Sequence, residues 1–233
     1  MRQLALGLAP SPVPSFGNFF PGRNSEAVFA LQSLASGQSG ERFVYLWGER
    51  GCGRSHLLQA AVSAASSQGS IARYVAAGEP LPAEDAGVRL LAVDDVEKLG
   101  APAQLEFFRL YNALRESQGA VLAAGDVAPA RLHLRADLLT RLGWGLVFQV
   151  HALSESDKRA ALKRHAAARA FDLRDEIVDY LLRHLKRDLP SLMSVLDALD
   201  RHSLETKRPI TLPLLRELLQ SEVDGEAIPP SGN

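Results

Sequence analysis

The run RFVYLW, residues 42–47, leads directly into GERGCGRS, residues 48–55, and then into SHLLQAAVSAASSQG, residues 55–69. A buried-type strand, a glycine-rich turn and a helix in immediate succession leave little freedom of fold. Such a strand lies inside a sheet, and the helix folds back across it. Gly48, Gly53, Arg54 and Ser55 occupy the key positions of the pattern G-x-x-x-x-G-K-[ST], with arginine in place of lysine. Glycines at these positions let backbone N–H groups turn inward around phosphate oxygens, and the N-terminus of the following helix adds a favourable dipole. Ser55 then has a hydroxyl within reach of Mg²⁺. Gly51, Cys52 and His56 complete the candidate loop, His56 reading as a packing or surface residue rather than a catalyst. A ligand-free glycine turn is the alternative; the agreement of strand, Gly51, serine and helix favours phosphate.

Arg54 shifts the balance between binding and chemistry. A guanidinium is larger, planar and differently aimed from a lysine ammonium, yet it still neutralises phosphate. Transition-state stabilisation depends on fine placement, so hydrolysis should suffer more than affinity. The loop reads as a nucleotide holder with no significant turnover of its own.

The remaining chain supports the same layout. Strands are expected at SIARYVAA (70–77), RLLAVDD (89–95), AVLAAGD (120–126) and GLVFQV (145–150), with helices between them. NSEAVFALQSLASG (24–37) reads as a capped helix ending at Gly37, and Phe107, Leu110, Tyr111 and Leu114 share one face of another. LLAVDDVEKL places Asp94 and Asp95 at the carboxyl end of an apolar strand, the edge where open α/β sheets bind ligands. One carboxylate there can hold Mg²⁺ directly or through water while the other polarises a water. Alone, the pair reads equally well as a turn former or helix cap. After His151 the texture becomes helical in four runs, with Ser154 and Thr211 as N-caps and Pro213 early in its helix. The expected fold class is α/β: a P-loop core with a mainly parallel sheet, followed by a small all-helical lid subdomain. The expected boundaries are a flexible tail and proline linker over residues 1–15, the core over 16–152, the helical subdomain over 153–222 and a disordered tail over 223–233.

Composition excludes several classes. The net charge of -1 supplies no basic field for nucleic acid or an anionic membrane. No apolar run is long enough to span a bilayer, and the N-terminus lacks a convincing secretory signal. The single cysteine, Cys52, fits a reducing cytoplasmic compartment, and with six scattered histidines no zinc-ligand spacing exists.

The segments SFGNFFPGRN, LWGERGCGRSHLL, LLAVDDVEKL, AAGD, LLTRLGWGLVFQVHALSESDK and LMSVLDALDRHS together resemble the AAA+ module of the bacterial replication initiator DnaA. The resemblance runs from Phe16 to about Gln220 and is nearest to the Hda-like regulatory inactivators, in which an arginine in the phosphate loop is typical. It implies that Phe19, Phe20, Gly22 and Asn24 line an adenine pocket, and that ADP or ATP with Mg²⁺ is the cofactor. It also implies that Asp126 is a sensor beside the phosphates, although an aspartate after a strand is equally a turn residue. Arg141, which by itself reads as a surface arginine packing beside Trp144, becomes by resemblance a finger delivered into a neighbouring subunit's nucleotide. The second-sensor arginine of these proteins falls here on Pro190, with Arg183 or Arg187 as substitutes.

The apolar peptide QLALGL resembles the clamp-binding peptide of the same proteins, with Gln3, Leu4, Leu6 and Leu8 as contacts. A glutamine followed by spaced leucines suits an extended peptide entering an apolar groove. No further domain is expected after the lid, so DNA is reached only indirectly, through the clamp. The expected partners are the DnaA initiator and the DNA polymerase III sliding clamp, with no membrane and with homo-oligomerisation left open. The expected function is negative regulation of replication initiation by stimulating the initiator's ATP hydrolysis. The alternative is an autonomous AAA+ ATPase, such as a helicase loader or remodeller, that uses Asp94 and Asp95 on its own ATP.

Overall fold

The computed structural model describes residues 13–84, 86–185 and 189–225. It divides into two compact units, Pro14–Leu153 and the segment from Ser154 onward. The first is built on five strands: β1 (Phe43–Trp47), β2 (Ala72–Val75), β3 (Leu90–Val93), β4 (Ala120–Gly125) and β5 (Leu146–Gln149). They form one sheet in the order β2-β3-β4-β1-β5, and every neighbouring pair is parallel. The helices of this unit are α1 (Ser25–Ala35), α2 (Arg54–Ser67), α3 (Ala101–Glu116) and α4 (Ala136–Leu142).

Alternation along the strands explains why both faces are covered. Val44, Leu46, Leu90, Ala92, Leu122 and Ala124 pack in one apolar cluster with Leu31 and Leu34 of α1 and Leu57, Leu58 and Ala61 of α2. Tyr45, Leu91, Val93, Val121 and Ala123 pack in the other with Phe107, Leu110, Tyr111 and Leu114 of α3 and Leu138 and Leu142 of α4. Side chains two apart share a face, so runs without polar residues are stable only where helices cover both sides. Each fully buried leucine contributes about 1.5–3 kcal/mol relative to exposure.

The second unit holds α5 (Glu155–Ala168), α6 (Asp175–His184), α7 (Leu189–Thr206) and α8 (Leu212–Gly225). Ser154 caps α5 as expected, its hydroxyl accepting the Asp157 N–H while the Asp157 side chain returns to the Ser154 N–H. Leu162, Ile177, Val178, Leu181, Leu192, Leu196, Leu199, Leu214 and Leu215 form the buried stripe of these helices.

Three sequence expectations need correction. Ser15 belongs to the folded core and not to the linker. Its hydroxyl accepts the Asn18 N–H, and its own N–H donates to the Asn18 side chain, closing a capping box on a short 3-10 turn. Residues 223–225 belong to α8, so the expected boundary at residue 222 falls within a helix. Asn24 precedes α1 without capping it, because its amide is engaged elsewhere. The short helix α4, which carries Arg141, was not anticipated. Its seven residues are too few for a clear periodic signal. The clamp-peptide residues Gln3, Leu4, Leu6 and Leu8, the possible substitute Arg187 and residues 226–233 lie outside the described residues.

Candidate functional site

The glycine loop leaves β1 and turns into α2 at the carboxyl edge of the sheet. A side chain on Gly48 would collide with the Val150 carbonyl oxygen and approach Cys52 Sγ to 3.0 Å. Gly53, at φ 108°, is held in the left-handed region, and a Cβ there would sit 2.8 Å from the Phe19 ring. Glycine is therefore demanded by geometry at both positions. No side chain caps α2, whose N-cap residue is Gly53. The first-turn N–H groups of this 14-residue helix therefore present the uncompensated donors that bind anions. Cys52 is buried within the loop, and burial raises its thiol pKa, so it reads as packing and not as a reactive group.

Arg54 turns inward. Its side chain is 9% exposed, its Nη2 lies 3.6 Å from Asp95 Oδ1, and its Nη1 is buried without a hydrogen-bond partner. A buried, charged donor with no acceptor costs about 1–3 kcal/mol, and an acceptor such as a phosphate oxygen beside the guanidinium would satisfy it. The uncapped helix end and the orphaned donor fit a phosphate group.

Asp94 and Asp95 follow β3 and have different surroundings. Asp94 is buried; its Oδ1 accepts the Asp95 N–H at 2.9 Å and its Oδ2 accepts the Tyr74 hydroxyl at 2.8 Å. Asp95 takes a left-handed conformation, φ 46°, and its Oδ2 accepts Lys98 Nζ at 2.6 Å. Ser55 lies in the first turn of α2. The Ser55 hydroxyl and the Asp94 carboxylate are hard oxygen donors of the kind that would hold Mg²⁺. Asp126 sits exposed just past β4, near enough to Glu97 to act on it electrostatically.

Two residues overlooked in the sequence belong to this cluster. Tyr74, on β2, carries the hydroxyl just described, and burial together with the Asp94 carboxylate pushes its pKa up to about 12 against the opposing pull of Gln59. Glu97 buries Oε2 without a partner, and burial, with Asp126 and Asp95 adding to it, raises its pKa. The sequence signal for Glu97 was present, three residues beyond Asp94 in a short 3-10 turn. That for Tyr74 was not, since its strand pairs only in space.

The adenine-side candidates make contacts mainly with α2 and with backbone. Phe19 lies over Gly53 and 5.3 Å from the His56 ring. The His56 Nε2 bonds the Ser15 carbonyl at 2.9 Å, so this side chain secures the N-terminal turn to α2. Burial lowers the His56 pKa. Asn24 donates to the His151 carbonyl at 2.9 Å and accepts the His151 N–H at 2.8 Å, which leaves its amide occupied by backbone 127 residues away. Gly22 lies in a 3-10 turn with Asn24, and Phe20, two residues before Gly22, is half-buried.

Arg141 stands in the last turn of α4, on a different part of the core unit's surface pattern. Its guanidinium carbon lies 3.9 Å from the centroid of the Trp144 ring, which is half exposed, and its Nε donates to Asn112 at 3.0 Å. The packing against Trp144 read from the sequence is thus observed. Among the described residues, no hydrogen bond or ion pair engages its η nitrogens. In the lid, Pro190 is the second residue of α7 and Arg183 lies in the last turn of α6.

Comparison with known proteins agrees with this architecture. Residues 155–219 match the family model described as Hda, lid domain. Domain III of the replication initiation protein DnaA from Thermotoga maritima superposes with a TM-score of 0.70 at 21% identity, over 93% of this chain and 98% of that one. AMPPCP-bound DnaA from Aquifex aeolicus gives 0.67 at 23% identity, over 94% and 71%. A RuvB from Thermotoga maritima gives 0.62 at 14% identity, over 91% and 72%. Residues 155–219 thus match the Hda lid family, and the chain as a whole shares its fold with DnaA domain III.

Proposed function

We propose that this protein is a negative regulator of replication initiation that holds an adenine nucleotide, docks on the DNA-loaded sliding clamp and stimulates ATP hydrolysis by the DnaA initiator. The nucleotide reading rests on the orphaned Arg54 Nη1 beside the uncapped α2 N-terminus. The Aquifex aeolicus DnaA that shares this fold is bound to AMPPCP, which supports an adenine nucleotide here, ADP or ATP with Mg²⁺. Clamp docking through Gln3, Leu4, Leu6 and Leu8 is carried over from the sequence resemblance.

Slow intrinsic turnover follows from the acidic side of the site. Asp95, the carboxylate positioned to polarise water, has one oxygen on Lys98 and the other facing Arg54. With both oxygens engaged by cations, the carboxylate has fewer lone pairs free to orient a water. The autonomous-ATPase reading is supported by the complete set of Ser55, Asp94, Asp95 and Asp126, and rapid Mg²⁺-dependent turnover abolished by Asp94→Ala would establish it.

The single observation that carries the trans-acting role is Arg141. Stacking on Trp144 and the Nε bond to Asn112 preorganise the side chain while its η nitrogens remain available. A guanidinium delivered to a transferring phosphoryl group neutralises charge developing on its oxygens, and such fingers accelerate turnover by roughly 10³–10⁵. The test mixes the protein with clamp, DNA and ATP-loaded DnaA and measures released phosphate. Arg141→Ala should retain ADP and clamp binding yet lose the stimulation, and Arg141→Lys should not restore it. Stimulation by Arg141→Ala equal to wild type refutes the mechanism.

A further inference from the structure

Tyr74 lies on β2, opposite Ala92 of β3, one strand away from the acidic pair. Its hydroxyl donates to Asp94 Oδ2 at 2.8 Å. A phenol has one proton, and here it goes to that carboxylate. Asp94 is held at both oxygens, with Oδ1 on the Asp95 N–H and Oδ2 on Tyr74. A hydroxyl from β2 thus fixes the orientation of a buried side chain that follows β3.

We propose that Tyr74 is a positioning residue for Mg²⁺, holding the Asp94 rotamer so that its carboxylate serves the cation that accompanies the nucleotide. This rests on the nucleotide reading above. Partners that orient metal ligands without touching the metal change its affinity by roughly 10–100-fold when removed. Tyr74→Phe deletes one oxygen and keeps the half-buried ring, so the strand packing survives.

The experiment uses the full chain and a fluorescent ADP analogue. Its affinity is measured in EDTA, and Mg²⁺ is then titrated into the nucleotide complex, with thermal unfolding as the check on folding. Tyr74→Phe should leave metal-free affinity within about twofold of wild type and raise the half-saturating Mg²⁺ concentration roughly tenfold. An unchanged Mg²⁺ midpoint overturns the proposal, and so does a wild-type complex that does not respond to Mg²⁺. Loss of metal-free affinity with the same midpoint marks a merely structural tyrosine and also overturns it. Wild-type protein that binds no ADP removes the nucleotide reading itself, and this inference with it. Should Tyr74→Phe fail to fold, wild-type protein labelled with 3-fluorotyrosine carries the test. One resonance of its four tyrosines should shift when Mg²⁺ is added to the ADP complex, and four unmoved resonances overturn the proposal.

Discussion

Arg54→Met separates binding from stability at the centre of the site. In the unliganded protein the arginine contributes two opposing terms. Its ion pair with Asp95 at 3.6 Å is favourable, whereas its buried Nη1 without a partner costs about 1–3 kcal/mol. Asp95 keeps Lys98 at 2.6 Å after the substitution, so no carboxylate is left alone, and methionine fills much of the same volume. The unliganded protein should therefore unfold within about 1 kcal/mol of wild type. ADP binding should respond differently, since a charged hydrogen bond to phosphate is worth about 1.5–3 kcal/mol. That corresponds to an affinity loss of roughly 10- to 150-fold. Thermal unfolding with and without ADP reads both quantities. At a ligand concentration near 100 times the wild-type Kd, ADP should stabilise wild type by about 2.7 kcal/mol. With Kd raised roughly 100-fold, the same ADP concentration should stabilise the variant by only about 0.4 kcal/mol. Calorimetric titration gives the affinity independently. If Arg54→Met binds ADP as tightly as wild type, the orphaned guanidinium is not a phosphate ligand.

Glu97→Gln should raise thermal stability at neutral pH by up to about 1 kcal/mol, a figure kept small because the residue is partly exposed. The sign follows from its raised pKa: the folded state holds a proton that the unfolded chain releases above about pH 4.5. Wild-type stability is thus lost as pH rises through the folded pKa, and the variant should match wild type below about pH 4.5 and exceed it above; a gap that widens toward acid contradicts this. Replacing Gln3, Leu6 and Leu8 together with alanine should abolish clamp binding measured on immobilised clamp, since each buried apolar anchor contributes about 1.5–3 kcal/mol. The thermal midpoint should be unchanged, and unaltered clamp affinity would remove the tail from the interface.

Much of the architecture was legible because the relevant signals are local. The apolar strands, the glycine loop, the Ser154 cap and the buried face of Phe107, Leu110, Tyr111 and Leu114 each declare themselves within a short window. The same holds for the placement of Asp94 and Asp95 just after the buried strand β3, whereas its pairing with β4, and that of β4 with the loop's strand β1, arises only in the folded sheet. Ser15 was less legible, because a proline-rich composition suggests a linker while the capping box depends on Asn18 folding back. Asn24 resembled a helix cap, yet its partner is the backbone of His151, and no local pattern encodes that choice.

The sequence alone thus determined the order of elements, the glycine positions and the chemical types available to the site. These depend on periodicity, on backbone sterics and on spacing along one segment. Tertiary structure decided how those groups are used. It turned Arg54 toward Asp95 and left one of its nitrogens without an acceptor, and it brought Tyr74 from another strand to Asp94. It also laid Arg141 on Trp144 with Nε on Asn112 of a different helix. Hydrogen-bond partners and burial arise between residues distant in the chain, and their energies depend on orientation at the scale of a few tenths of an ångström. A residue's type and position in sequence carry no record of that orientation until the chain has closed on itself.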